Sequence, residues 1–309
     1  MGKIACVFPG QGSQSVGMGQ TFWPTEIGRQ AYDIAVQTLG ADLLRIMREG
    51  PAEELQQTVN AQPAILLVSV VAWRHLAAAG VRPNYLAGHS LGEYSAYAAA
   101  GSISLEDALR VVRLRGEAMQ DACPQGQGMM AAILNLSNAQ VEQACLAAAE
   151  QGVVAPANYN APGQVVISGE REAVERAMQA AKELGAKRAI PLAVSGPFHS
   201  RLMLPAAQRM SETLAALPWQ PPRVPVIANI DAAEVRDSER IVPALIQQIS
   251  GAVRWEQSMR YLAEQGVDTF IECGPGRVLS GLIRKIVPGA ACLQVEDLPS
   301  LEKSLSHLA

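Results

Sequence analysis

The chain has 309 residues, of which 49% are hydrophobic and 17% are charged. Because globular proteins average about 25% charged residues, this composition predicts a compact protein with a large core and excludes a disordered chain. The formal net charge of −4 argues against a nucleic-acid-binding protein, which normally carries a basic surface.

The cysteines and the apolar segments indicate the cellular compartment of the protein. The five cysteines are odd in number, widely scattered and without a CxxC spacing, which predicts free thiols in a reducing cytoplasm. The N-terminus lacks a basic segment followed by an apolar signal stretch. The most apolar run, Ala64–Trp73, meets Arg74 and His75 too early to span a bilayer, so we expect a buried helix and no membrane partner.

The first and last parts of the chain predict alternating strands and helices. We expect strands at Ile4–Phe8, Tyr85–Gly88 and Thr269–Cys273, and helices at Gln62–Ala79, Tyr94–Ala100, Leu105–Asp121 and Arg277–Ile286. Strands that alternate with helices favour a parallel sheet with helices on both faces.

The middle of the chain predicts a different order of elements. Strands are expected at Gly128–Leu134, Val153–Ala157, Gln164–Ser168 and near Lys187–Ala193, with a helix after a capping box at Ser137 and another through Val174–Ala181. The order βαββαβ is the ferredoxin-like split motif. We therefore expect a small domain at residues 123–195, inserted in a larger α/β domain made of residues 1–122 and 196–309.

A glycine-rich loop, Phe8–Gly19, follows the first predicted strand, as a phosphate-binding loop would. Where the dinucleotide fingerprint G-x-G-x-x-G requires its third glycine, the chain has Ser15. Where the P-loop pattern requires its lysine, the chain has Met18. Both nucleotide-binding interpretations fail at the residue that makes the contact, and a structural turn remains open.

The segment Tyr85–Glu93 contains the pattern G-x-S-x-G between a predicted strand and a predicted helix. Such a turn presents the hydroxyl of Ser90 outward, and its flanking glycines avoid clashes with the tight backbone. The N–H of Leu91 would face a developing oxyanion, and the N–H of Gln11 in the glycine-rich loop would supply a second donor. We predict that Ser90 is a nucleophile; the alternative is a structural turn.

A serine nucleophile needs a base, and histidine is the usual one. His75 lies on an apolar helix, His307 lies near the C-terminus, and His89 adjoins Ser90 around the turn, where it would line or brace the site. His199 lies in a loop between a predicted strand and a helix, so we predict that it is the base. No Asp or Glu marks a third triad member, and His199 comes too early for the order of the ordinary α/β-hydrolases.

Five motifs stand in order along nearly the whole chain: Pro9–Ser13, Gly88–Glu93, Arg115–Gly116, Gly196–His199 and Glu272–Gly276. Together they resemble the motifs of the malonyl-CoA:acyl carrier protein transacylases and of the acyltransferase domains of polyketide and fatty acid synthases. The resemblance implies an α/β-hydrolase-like parallel-sheet domain that carries an inserted ferredoxin-like domain.

The resemblance also implies roles for the candidate residues. Ser90 would carry the acyl ester, and His199 would act first as base and then as acid. The backbone N–H groups of Gln11 and Leu91 would form the oxyanion hole. The backbone carbonyl of Gln248 would orient His199, which would explain why no carboxylate marks a third triad member.

Substrate selection is implied in the same way. Arg115 would bind the free carboxylate of malonate, because its planar guanidinium matches a carboxylate with two hydrogen bonds. From the residues alone, Arg110, Arg113 and Arg115 all fit solvated helix positions. Phe198 before the histidine resembles the malonyl-selecting pattern, as does the leucine after the serine, and His89 would line the substrate site.

The implied reaction is a ping-pong transfer of malonyl from malonyl-CoA, through the serine, to the phosphopantetheine thiol of acyl carrier protein, which supplies extender units for fatty acid synthesis. We expect no metal, no cofactor and a monomeric, cytoplasmic enzyme. Because carrier proteins are typically acidic, a basic patch should dock them. Its candidates are Arg277, Arg284 and Lys285, although a solvated helix face explains each one of them more simply.

Three alternatives stay open. A polyketide synthase acyltransferase acting in trans would use the same chemistry with a different carrier. A serine hydrolase or thioesterase would use water in place of the carrier thiol, and Arg115 counts against it. A non-catalytic carrier-binding scaffold would not need Ser90, His199 and Arg115 together.

Overall fold

The computed structural model describes residues 2–124 and 126–308. The strands are β1 (Lys3–Phe8), β2 (Tyr85–Gly88), β3 (Gly128–Leu134), β4 (Val154–Ala161), β5 (Gln164–Glu170), β6 (Arg188–Pro191), β7 (Val226–Ile227), β8 (Glu234–Val235), β9 (Val267–Cys273) and β10 (Ala291–Val295). The α-helices are α1 (Glu26–Leu39), α2 (Asp42–Glu49), α3 (Ala52–Gln56), α4 (Thr58–Ala78), α5 (Gly92–Ala99), α6 (Leu105–Asp121), α7 (Asn138–Leu146), α8 (Arg171–Glu183), α9 (Leu204–Ala215), α10 (Ser238–Ser250), α11 (Trp255–Glu264), α12 (Val278–Ile286) and α13 (Leu298–Leu308).

The larger sheet sets the position of the loops at its carboxyl edge. Its six strands lie in the order β10–β9–β1–β2–β7–β8, and neighbouring strands are parallel except β7 and β8. The register pairs Phe8 at the end of β1 with Gly88 at the end of β2. The loops that follow these strands therefore leave the sheet side by side, at the edge where open parallel sheets bind ligands.

The smaller sheet is antiparallel and has the order β4–β5–β3–β6. Its helices, α7 and α8, bury Val141 and Val174 in one apolar cluster with Ile133 and Ile167 of the sheet. A sheet of mainly parallel strands and a separate antiparallel sheet confirm the predicted α/β class. The predicted domain boundaries stay a prediction, and residues 1, 125 and 309 lie outside the described residues.

Close packing of α4 against α6 brings a charged side chain into the interior. Helix α4 has the length and apolar composition of a membrane-crossing helix, but 72% of its most apolar window is buried inside the protein. A Cβ at Gly116 of α6 would stand 2.9 Å from the Cα of Val59, so only glycine lets the two helices come this close. The adjacent Arg115 is consequently buried, with 1% of its surface exposed.

Candidate active site

Ser90 stands on a strained turn between β2 and α5. Its φ of 53° is in the left-handed region, which costs free energy for a residue other than glycine. A Cβ at Gly88 would lie 1.9 Å from the carbonyl carbon of Gly92, and a Cβ at Gly92 would lie 2.0 Å from the Phe8 oxygen. Asn229, which follows β7, holds the turn by accepting a 2.7 Å hydrogen bond from the Ser90 N–H. The local backbone therefore requires both glycines of the motif.

His199 lies opposite that hydroxyl, although the two residues are 109 positions apart. The Ser90 Oγ to His199 Nε2 distance is 2.7 Å. His199 Nδ1 lies 2.8 Å from the Gln248 carbonyl oxygen and 3.2 Å from the Gly251 carbonyl oxygen. Since carbonyls only accept, Nδ1 carries the proton, and Nε2 is left to accept the hydrogen bond from the serine.

The imidazole is neutral in this environment. Burial and, to a lesser extent, the positive charge of Arg115 together lower the pKa of His199 to about 3, against the weaker opposing effect of the Gln248 carbonyl. A neutral imidazole next to a serine hydroxyl has the protonation state that a general base requires.

Arg115 reaches the same hydroxyl from the other side. Its Nη2 donates to Ser90 Oγ at 3.2 Å and to Gln248 Oε1 at 3.0 Å, and its Nη1 donates to Gln62 Oε1 at 2.7 Å. Its guanidinium lies over the Tyr94 ring, 5.4 Å from the ring centre. Within residues 2–124 and 126–308, Arg115 has no carboxylate within ion-pair distance. The cation is therefore buried with neutral partners and can receive an anionic ligand.

Two backbone N–H groups lie in the loops that follow β1 and β2. Leu91 precedes the first residue of α5, and Gln11 lies in the loop after β1. The two loops touch, because a Cβ at Gly10 would lie 2.5 Å from the His89 carbonyl oxygen. In the described part of the chain, neither the Gln11 nor the Leu91 N–H donates a hydrogen bond, so both are available to an oxyanion.

The other two predicted residues lie beside the site. His89 Nε2 lies 2.8 Å from Asn160 Oδ1 of β4, and the ring packs against the edge of Trp255. Burial lowers the pKa of His89. Phe198 is buried in the main apolar cluster, next to His199. His89 thus links the serine turn to the smaller sheet.

Sequence reasoning missed three buried polar residues of this site, namely Gln62, Glu93 and Asn229. Glu93 is fully buried, and burial raises its pKa to about 7 against hydrogen bonds from Gln248 and Asn229. The one signal in the sequence for a buried Glu93 was its place in the first turn of a helix of small residues, because such a helix packs closely against its neighbours. Gln62 and Asn229 carried no local signal, because long-range packing alone brings them to the serine.

Comparison with known proteins identifies the family. The acyl transferase domain family matches residues 5–300. The chain belongs to this family. This confirms the family predicted from the five ordered motifs. At Ser90 a hydroxyl, an imidazole nitrogen and a guanidinium meet.

Two relatives with the same name are similar to this chain over nearly its whole length. A malonyl CoA-acyl carrier protein transacylase of Bacillus subtilis is 46% identical over 310 residues, which cover 100% of this chain and 98% of the relative. The corresponding protein of Salmonella typhimurium is 45% identical over 309 residues, covering 99% of this chain and 100% of the relative.

Solved acyl transferase structures have the same fold. The acyl-carrier-protein S-malonyltransferase of Burkholderia pseudomallei superposes with a TM-score of 0.96 at 46% identity, covering 98% of this chain and 99% of that one. A malonyl transacylase solved in complex with a type II polyketide synthase acyl carrier protein gives a TM-score of 0.96 at 44% identity, covering 99% of both chains.

Proposed function

We propose that this protein transfers the malonyl group of malonyl-CoA to the phosphopantetheine thiol of acyl carrier protein, through a malonyl ester on Ser90. The observation that carries the proposal is the position of one hydroxyl. Ser90 Oγ lies 2.7 Å from the neutral His199 and 3.2 Å from the buried Arg115 cation. A base and an anion-binding group thus meet at a single nucleophile.

In the first half-reaction, His199 Nε2 takes the proton of Ser90 as Oγ bonds to the thioester carbonyl carbon. The carbonyl oxygen becomes an oxyanion, which accepts hydrogen bonds from the N–H groups of Gln11 and Leu91. When the intermediate collapses, the carbon–sulfur bond breaks. The imidazolium then gives its proton to the departing thiolate, leaving CoA and the malonyl ester.

In the second half-reaction, the carrier thiol occupies the place of CoA. His199 takes the thiol proton as sulfur attacks the ester carbonyl, and the same two N–H groups hold the second oxyanion. Collapse breaks the bond to Ser90 Oγ, and the imidazolium returns the proton to that oxygen. The steps are the reverse of the first half-reaction with a different thiol, and they use the same serine, histidine and backbone N–H groups.

The Gln248 carbonyl keeps His199 in the correct tautomer throughout. It accepts from Nδ1 in the resting enzyme and stabilises the imidazolium when Nε2 gains a proton. A neutral carbonyl favours imidazolium less than a carboxylate would, so the proton returns easily to a leaving thiolate or alkoxide.

Arg115 selects the acyl group. Its buried guanidinium would bind the malonyl carboxylate with two hydrogen bonds, whereas an acetyl group offers no charge in the same position. Within residues 2–124 and 126–308, the Arg115 cation has no carboxylate partner. The substrate carboxylate would therefore not need to displace one.

Acyl carrier protein is the proposed partner, and the predicted basic patch is a candidate for its docking. Arg277 is largely exposed and lies 3.6 Å from Glu296. Lys285 donates to Gln164 of β5, so α12 meets the smaller sheet here. Docking of an acidic carrier, a monomeric state and a cytoplasmic location remain predictions.

Intact-mass analysis after mixing with malonyl-CoA tests the proposal. We expect a malonyl adduct on the wild-type protein and none on Ser90→Ala, with transfer to holo acyl carrier protein when the carrier is added. Rapid release of free malonate without a carrier would show a hydrolase instead. Carrier binding without any adduct would show a scaffold, and loading only of polyketide carriers would place the enzyme in that pathway.

A further inference from the structure

A buried carboxylate beside the site takes no part in the reaction described above. Glu93 is fully buried on α5. Its Oε2 accepts from the Gln248 Nε2 at 2.8 Å and from the Asn229 N–H at 3.0 Å. Its Oε1 has no hydrogen-bond partner among the described residues. A buried acidic group normally costs free energy, so its position calls for a role.

Through Gln248, Glu93 acts on the histidine and on the arginine. The Gln248 Nε2 is held by two acceptors, the Glu93 carboxylate and the Ser90 carbonyl oxygen at 2.9 Å. This fixes the orientation of the amide, so its Oε1 must face Arg115. The backbone carbonyl of the same residue faces His199.

Through Asn229, Glu93 acts on the serine turn. With its backbone N–H held by the carboxylate, Asn229 accepts from the Ser90 N–H at 2.7 Å and donates its Nδ2 to the Gly88 carbonyl at 2.6 Å. These two bonds close the turn whose backbone has a positive φ.

We propose that Glu93 is a positioning residue that fixes Gln248 and Asn229, and thereby sets the geometry of the serine, the histidine and the arginine at once. The proposal rests on the proposed acyl transfer through Ser90. The proposal requires a side chain long enough to place one acceptor oxygen at the position of Oε2, because Oε2 receives both hydrogen bonds.

Two substitutions separate reach from charge. Glu93→Gln keeps the reach and removes the charge, because its carbonyl oxygen can accept both bonds with the amide nitrogen in the place of the unpartnered Oε1. Glu93→Asp keeps the charge and shortens the reach by one methylene. Glu272→Asp is a matched control, since Glu272 is also fully buried but caps the N-terminus of α12 through Leu279 and Ser280.

The measurement is the single-turnover acylation of each variant by malonyl-CoA and by acetyl-CoA, followed by intact mass. For Glu93→Asp we expect acylation at least about tenfold slower with both donors, because buried donors lose their acceptor. We also expect a lower malonyl-to-acetyl ratio, because Gln248 no longer holds Arg115. Glu93→Gln should stay within about threefold of wild type on both measures.

Three results would overturn the proposal: wild-type behaviour of Glu93→Asp, an equal loss in Glu93→Gln, or the same change of ratio in Glu272→Asp. Thermal unfolding of each variant separates these from a failure to fold, and the Glu93→Gln arm remains decisive if Glu93→Asp does not fold. A failure of the proposed function looks different, because the wild-type protein itself would then form no ester on Ser90.

Discussion

Replacing the buried guanidinium by Arg115→Ala should abolish the preference for malonyl over acetyl donors while leaving the serine and histidine in place. Ser90 would keep its 2.7 Å hydrogen bond to His199, and the base would keep its contact with the Gln248 carbonyl. The buried Glu93 should tolerate the loss, because Arg115 lowers the pKa of this carboxyl. Without the cation that pKa rises, and Glu93 binds a proton at neutral pH.

The magnitude follows from burial and distance. Arg115 is 1% exposed, and its Nη2 lies 3.2 Å from the oxygen that would carry the ester. Two unit charges about 4 Å apart interact by about 4 kcal/mol at an effective dielectric constant of about 20. Because about 1.4 kcal/mol corresponds to a factor of ten, the malonyl-to-acetyl ratio of kcat/KM should fall roughly a thousandfold.

The assay is acylation of the enzyme by each donor, measured over a range of concentrations. Arg113→Ala is the matched control, because Arg113 lies on the same helix but donates to Asn60, away from the serine. An unchanged ratio in Arg115→Ala, or an equal fall in Arg113→Ala, would refute the assignment of the carboxylate to this cation.

Three further expectations follow from the structure. Acetylation of the enzyme should proceed at a constant rate from pH 8 down to about pH 5.5, because the pKa of His199 is lowered to about 3 and imidazolium forms only in more acidic solution; a fall centred near pH 6.5 would contradict this. Gly92→Ala should lower the free energy of unfolding in urea by about 1–3 kcal/mol, since its Cβ would overlap the Phe8 oxygen, whereas Gly281→Ala, with open space around it, should not. Thr58→Val should slow acylation by both donors about equally, because Thr58 Oγ1 accepts a 3.1 Å hydrogen bond from the side chain of Gln11, whose backbone N–H would bind the oxyanion. An effect on only one donor would contradict a role of Thr58 in positioning Gln11.

Much of the fold could be predicted because its signals are local. Strand β2, helix α6 and the βαββαβ order were readable from apolar spacing, capping residues and turns. Strands β7 and β8 could not be predicted, since each has two residues and exists only through pairing with β2 and with each other. The helices between residues 20 and 56 were also missed, although Thr25 caps the N-terminus of α1 and Gly40 follows its last residue.

The site divides in the same way. Ser90 and His199 could be predicted as candidates from turn chemistry, because a G-x-S-x-G turn and a loop histidine are local patterns. Arg115 was indistinguishable from Arg113 by spacing, and the family resemblance alone singled it out. Its burial depends on the contact between Gly116 and α4, which no local pattern encodes. Glu93 forms its contacts only when α5, α10 and the segment after β7 come together.

A crystal structure of the protein after exposure to malonyl-CoA tests the central claim most directly. We expect an ester on Ser90 Oγ, with its carbonyl oxygen within hydrogen-bond distance of the Gln11 and Leu91 N–H groups and its carboxylate on the Arg115 guanidinium. A malonyl group attached to another residue, or an ester whose carboxylate faces away from Arg115, would contradict the account.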